Sequence, residues 1–224
     1  MKESKHRDNS PSQYALVLAL LEWYRKNGRK LSFREFRSPY HVLVAEIMLR
    51  KTTAKQVDRV FREFVERFPD VHSLALASAS EVDEVIRPLG IRSRAKHLVE
   101  IARKIIEEHC GSIPASYAEL SKLPGVGSYV AGCVMVFCHG VRLPLVDTNV
   151  SRVLTRVFGL DALPPAAKRN ALEELYLSIS PAGMERDFHY ALLDLSAAFC
   201  RPKDPKCNVC PIRTYCSYGK DYIL

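Results

Sequence analysis

Four cysteines near the C-terminal end, Cys200, Cys207, Cys210 and Cys216, follow the pattern C-x6-C-x2-C-x5-C. Thiolates brought together in one short loop repel each other unless a shared cation or an iron-sulfur core offsets their charge. Structural zinc sites usually join two close pairs from separated positions, and only Cys207 and Cys210 make such a pair, so the spacing favours a [4Fe-4S] cluster over zinc. Between the first two cysteines lies RPKDPK, where Arg201, Lys203 and Lys206 form a row of cations suited to phosphates. A second stretch, YAELSKLPGVGSYVAG, reads as a short helix around 117–122, a hairpin at Pro124 to Gly127, and a new helix from Ser128. Gly125 and Gly127 permit a tight backbone, with Val126 between them, whose amides point outward at a helix N-terminus and suit a phosphate. Tyr129 sits in the first turn of that helix. In PLVDTNVSRVLTRVFG, Asp147 directly precedes a helix, where an aspartate by default caps free amides. In SPYHVLVAEIMLRKTTA, Glu46 interrupts an apolar helix and is either turned to solvent or partly buried for chemistry. Arg50 lies four residues on, at pairing distance in either case.

These residues need a scaffold, and the pattern supplies helices. Val57, Val60, Phe61, Phe64, Val65 and Phe68 fall at helical spacing and form one stripe. Ala95, Leu98, Val99, Ala102, Ile105 and Ile106 form another. Ser10 with Pro11 reads as a helix start, with Tyr14, Val17, Leu18 and Leu21 as its apolar face and Asn27 and Gly28 as its end. Further helices are expected around 40–50, 80–87, 128–138, 148–158, 165–179 and 184–199. No segment alternates long enough to be a strand, so the fold class is all-α. The 224 residues carry 33 Lys+Arg against 25 Asp+Glu, a formal charge of +8 that favours a polyanionic partner. No signal-peptide pattern or membrane-length apolar run is present, which leads to the expectation of a soluble, intracellular protein without a membrane partner. The remaining cysteines, Cys110, Cys133 and Cys138, read as core residues, and His41, His139 and His189 as structural.

L-P-G-V-G, then V-D-T-N-V-x-R-V, then the four-cysteine pattern together resemble the helix-hairpin-helix, Gly/Pro-Asp DNA glycosylases of the endonuclease III and MutY type. The likeness covers roughly residues 14–218, with the motifs in the family's order and spacing. It implies two all-α lobes: a six-helix lobe over 31–141 bearing the hairpin, and a second lobe from 1–30 and 142–224 bearing the cluster loop, 200–216. The resemblance further implies that DNA binds across a cleft between the lobes with Asp147 at its base, and that the protein works as a monomer on duplex DNA.

Family members that also cut the backbone carry a lysine six positions after the leucine of L-P-G-V-G, whose amine forms a Schiff base with C1′. Tyr129 occupies that position. A phenol cannot form an imine, so the chain is expected to hydrolyse rather than nick. MutY-type adenine glycosylases place a small serine there, whereas a tyrosine resembles the Mig-type thymine glycosylases that act on G:T and G:U mismatches. Arg50 and Lys51 stand where MutY-type enzymes have a glutamine pair, and only eight residues follow Cys216, where MutY-type enzymes usually continue into a further domain. Both features are closer to the Mig pattern. The resemblance assigns Asp147 to the oxocarbenium-like sugar and the attacking water, Glu46 to the extruded base or the water, and Tyr129 to the thymine pocket. It places Ile91 as the apolar wedge and Arg50 or Lys51 opposite the orphan guanine. A short adenine glycosylase and a non-catalytic iron-sulfur DNA-binding module are the alternatives.

Overall fold

The computed structural model describes residues 11–91 and 93–220, and these are helical with no strand among them. The chain divides into two compact units: Lys30–Val141, and the residues up to Arg29 together with those from Arg142 onward. No helix among the described residues is long and apolar enough to cross a membrane.

The Lys30–Val141 unit holds α2 (Pro39–Leu49), α3 (Ala54–Arg67), α4 (Val71–Leu76), α5 (Ala79–Ile86), α6 (Ser93–His109), α7 (Tyr117–Lys122) and α8 (Ser128–His139). Starts are set by local chemistry. Ser38 caps α2, and Thr53–Gln56, Asp70–Ser73 and Ser78–Glu81 form reciprocal capping boxes on α3, α4 and α5. The stripe expected on α3 is buried along its length, from Val57 to Phe68. α2 is buried all round from Val42 to Met48 and packs on α8, which is equally apolar from Val130 to Phe137. A helix apolar on every face belongs at a domain's centre, and α2 and α8 fill that place here. α6 ends at Cys110, which has φ 50° and is exposed, not a core residue as expected. Its left-handed backbone turns the chain out of the helix. Cys133 is buried and Cys138 half-buried.

The other unit holds α1 (Pro11–Asn27), α9 (Thr148–Phe158), α10 (Pro165–Ile179), α11 (Glu185–Ala198) and α12 (Ser217–Lys220). Ser10 lies outside the described residues. The apolar face of α1 is rotated from the expected one: Leu16, Val17, Leu20 and Leu21 are buried, while Tyr14 and Leu18 are exposed. α1 packs on α11, so the buried stripe runs one residue away from the one drawn through Tyr14 and Leu18. The end of α1 is pinned by Arg29, whose backbone N and Nε donate to the two carboxylate oxygens of buried Asp194 at 2.7 and 2.6 Å.

Candidate functional site

Asp147 is the N-cap of α9. Its Oδ1 accepts from the backbone amides of Asn149 at 2.9 Å and Val150 at 2.7 Å, and its Oδ2 accepts from Asn149 Nδ2 at 2.9 Å. Capping and a chemical role do not compete. A carboxylate gripped by three donors has one orientation, and Oδ2 keeps a lone pair that Asn149 does not use. Asn149 is itself held: its Oδ1 accepts from Arg152 Nη2 at 3.1 Å, and that guanidinium also donates to Ser196 Oγ at 2.6 Å and to the Cys200 carbonyl at 2.8 Å. Asn149 and Arg152 lie inside the V-D-T-N-V-x-R-V motif, yet the sequence alone assigns neither a role.

The same helix organises the cysteine loop. One turn beyond Arg152, Arg156 donates to Arg201 O at 2.8 Å and Pro202 O at 3.3 Å, lies 3.5 Å from Cys200 Sγ and stacks over Tyr218. Cys200, Cys207, Cys210 and Cys216 all line one pocket, with Gly219 N donating to Cys216 Sγ at 3.3 Å. Burial pushes the Cys210 thiol up to about 11, and the thiolates of Cys216, Cys200 and Cys207 push the same way against the Ile212 amide. Among the described residues no three His, Cys, Asp or Glu side chains converge closely enough to hold one metal ion. A single ion needs sulfurs about 2.3 Å from one point, whereas a four-iron core binds each cysteine at a separate corner. Four thiols around one pocket, with amide and guanidinium donors aimed at sulfur, are a donor set that fits such a core. On the loop, Lys203 and Lys206 are exposed; Arg201 turns back, Nη2 donating to Asp204 O at 2.9 Å.

In the Lys30–Val141 unit the hairpin is built by two glycines with different duties. Gly125 has φ 73°, the left-handed region that disfavours other residues. Gly127, at φ −82°, is the N-cap of α8 and offers no side-chain cap, so the first-turn amides face outward at the positive end of a twelve-residue helix. A Cβ on Gly127 would meet open space. Val126 is buried and anchors the turn, its N donating to Leu123 O at 3.0 Å. Tyr129 occupies the first turn of α8, half-buried. Glu46, on α2, is 8 % exposed, which removes the solvent-facing alternative. A buried carboxylate must be paired or hydrogen-bonded to offset its lost hydration, so Glu46 on the otherwise apolar α2 is not a residue that packing alone would select.

Arg50 and Lys51 follow α2 and are both exposed. Arg50 Nη1 donates to Gly125 O at 2.9 Å, tying this loop to the hairpin. Ile91, half-buried, stands just before α6, after Gly90 at φ 79°. Arg94, unassigned from sequence, is buried beneath the Arg50–Thr52 segment. His41 shares a hydrogen bond with Ser38 and stacks on Phe36, His189 is buried against Tyr176, and His139 is exposed at the end of α8.

Residues 44–177 match the family described as HhH-GPD superfamily base excision DNA repair protein. The chain is 42% identical over 212 residues to the thymine-DNA glycosylase of Aeropyrum pernix, covering 91% of this chain and 94% of that protein. It is 38% identical over 196 residues to the adenine DNA glycosylase of Mycobacterium tuberculosis, covering 86% of this chain and 64% of that protein. The solved structure of a thermostable thymine-DNA glycosylase superposes with a TM-score of 0.85 at 33% identity, covering 94% of this chain and 98% of that one. The all-helical architecture, the glycine hairpin opening α8 and the aspartate capping α9 thus accompany a family match over most of the chain, which belongs to the HhH-GPD superfamily of base excision DNA repair proteins.

Proposed function

We propose that the protein is a monofunctional thymine/uracil-DNA glycosylase that removes thymine or uracil from G:T and G:U mismatches by hydrolysis, leaving the DNA backbone intact. The observation that carries this reading is Tyr129 in the first turn of α8, immediately behind the hairpin, where a lyase of this family would keep an amine. A phenol offers no route to an imine. The likeness to thymine-DNA glycosylases supports the same choice of base.

The bond to be broken joins C1′ to N1 of the pyrimidine. Its electron pair leaves with N1, and the sugar becomes oxocarbenium-like. A wobble-paired thymine is cheaper to extrude than a well-paired base, so mismatch selection starts before the chemistry. The Asp147 carboxylate stabilises the positive sugar and takes a proton as water adds to C1′, and the departing pyrimidine anion is protonated from solvent. Glu46 contacts the extruded base or the water, and Tyr129 packs on the pyrimidine. The Gly125–Gly127 hairpin presents the first-turn amides of α8 to a backbone phosphate, Ile91 wedges the stack, Arg50 or Lys51 faces the orphan guanine, and Arg201, Lys203 and Lys206 add positive charge along the duplex. Cys200, Cys207, Cys210 and Cys216 would hold a [4Fe-4S] cluster, whose positive core would offset part of the thiolate charge and cross-link the loop that carries Lys203 and Lys206. The two units serve as the family's two lobes, the protein acts as a monomer on mismatched duplex DNA, and its working place is the nucleoid.

The test is release of free base from duplexes with G:T, G:U, A:G and oxidised-pyrimidine sites. Thymine and uracil release with intact abasic strands is expected. Adenine release without thymine release would replace this reading with the adenine one.

A further inference from the structure

The loop after α2 is a four-residue turn in which Thr52 N donates to Leu49 O at 3.2 Å. Arg50 has φ −61° and ψ 117°, and Lys51 has φ 56°. These are the angles of a type II turn, which calls for glycine or asparagine at its third position, because a Cβ crowds the backbone there. Lys51 is neither. A type I turn joins the same ends with the central peptide rotated by about half a turn and both central residues at negative φ, which a lysine adopts readily.

Something must hold the less comfortable form, and Arg94 does. It is 4% exposed, and its Nη2 donates to Arg50 O at 2.6 Å and to Thr52 Oγ1 at 2.9 Å. Arg50 O belongs to the central peptide, the group that changes sides when the turn flips. Burial and the Arg50 cation both push the Arg94 guanidinium towards losing its charge, and among the described residues it forms no ion pair. An arginine so placed is costly for packing and is suited to binding a carbonyl. Its own backbone N donates to Ile91 O at 3.0 Å, so one residue ties the turn to the segment just before α6. The Arg50 side chain is committed to Gly125 O, whereas the Lys51 amine is exposed and has no partner among the described residues.

We propose that Arg94 is a positioning residue for DNA recognition: it locks the Leu49–Thr52 turn in its type II form and thereby aims Lys51, rather than Arg50, at the guanine left behind by the extruded base. An ammonium suits the O6 and N7 acceptors of guanine, whereas adenine presents an amino donor where guanine has O6. The proposal rests on the glycosylase reading above, and its test separates the two.

The assay compares single-turnover uracil release from a G:U duplex with release from single-stranded uracil DNA, which has no opposite base. Arg94→Met keeps the stem and removes the donors; it should lower the duplex-to-single-strand ratio about tenfold, a loss of about 1.4 kcal/mol of discrimination. Lys51→Ala should lower the ratio equally, and the double variant should be no worse than either single one. Arg94→Lys retains a charged donor for Arg50 O and should keep the ratio within about twofold. Equal losses on both substrates, or additive losses in the double variant, would reduce Arg94 to a structural role and overturn the proposal. A DNA-free crystal structure of Arg94→Met should show Lys51 at negative φ. A lysine still at positive φ would refute the locking role whatever the enzyme does, while absence of base release by the wild type would overturn the glycosylase reading and leave this structural arm decisive.

Discussion

Replacing Asp147 by asparagine separates the cap from the chemistry, and the hydrogen bonds fix what each should cost. The substituted side chain keeps an oxygen where Oδ1 accepts the Asn149 and Val150 amides, so the start of α9 survives. Its new amide nitrogen then faces Asn149 Nδ2, a donor against a donor at a site now spaced at 2.9 Å. Turning the Asn149 amide over cures that contact but points its nitrogen at Arg152 Nη2, now 3.1 Å from Oδ1. One mispaired contact therefore remains wherever the flip stops. In this half-buried setting it costs about 1–2 kcal/mol. At about 2–4 °C per kcal/mol for a chain of this size, Tm should fall by roughly 2–8 °C. Base release should fall far more, by at least about 10²–10³-fold, because a preorganised group opposite the developing sugar charge is lost. The assay is single-turnover release from a G:U duplex at saturating enzyme, with Tm and duplex affinity measured on the same preparation. Turnover within a few-fold of wild type by a folded, DNA-binding variant would leave Asp147 as a helix cap and refute its catalytic role.

Wild-type protein should yield no borohydride-trapped adduct, while Tyr129→Lys should lose part of its glycosylase rate yet gain strand cleavage and a trappable covalent complex, read on a denaturing gel. Cys207→Ser should lower iron and acid-labile sulfide content and weaken duplex binding, with a smaller change in the single-turnover rate at saturation; full zinc occupancy without iron in the wild type would refute the cluster. The two hairpin glycines should part company: Gly125→Ala, forced to φ 73°, should lose about 1–2 kcal/mol of stability, whereas Gly127→Ala should melt like wild type but bind duplex DNA more weakly, because its methyl enters the open space before the α8 amides.

What the sequence makes legible is what periodicity and short spacing encode. The α3 stripe, the glycine hairpin and the cysteine loop are each specified within a dozen or so residues, and each is found at its expected place. α4 escapes notice because six residues carry too little periodicity, although Asp70 and Ser73 spell out its capping box. On α1 two candidate stripes differ by one residue, and the choice depends on α11, far along the chain. The harder omissions are polar and distant. Arg94 meets Arg50 across 44 residues and Arg152 meets Cys200 across 48, and no local pattern announces either pairing. Neither L-R-K-T nor its flanks contains the glycine or asparagine by which a type II turn is recognised. That turn is written in the fold rather than in the segment, since the carbonyl that defines it is held from another helix. A segment whose own preferences oppose its conformation is a place where function is worth testing, because packing alone would have let it relax. Lys51, at φ 56° beside a carbonyl held by Arg94, meets that description, and so the least legible turn in the unit is the one whose proposed role at the orphan guanine most rewards a test.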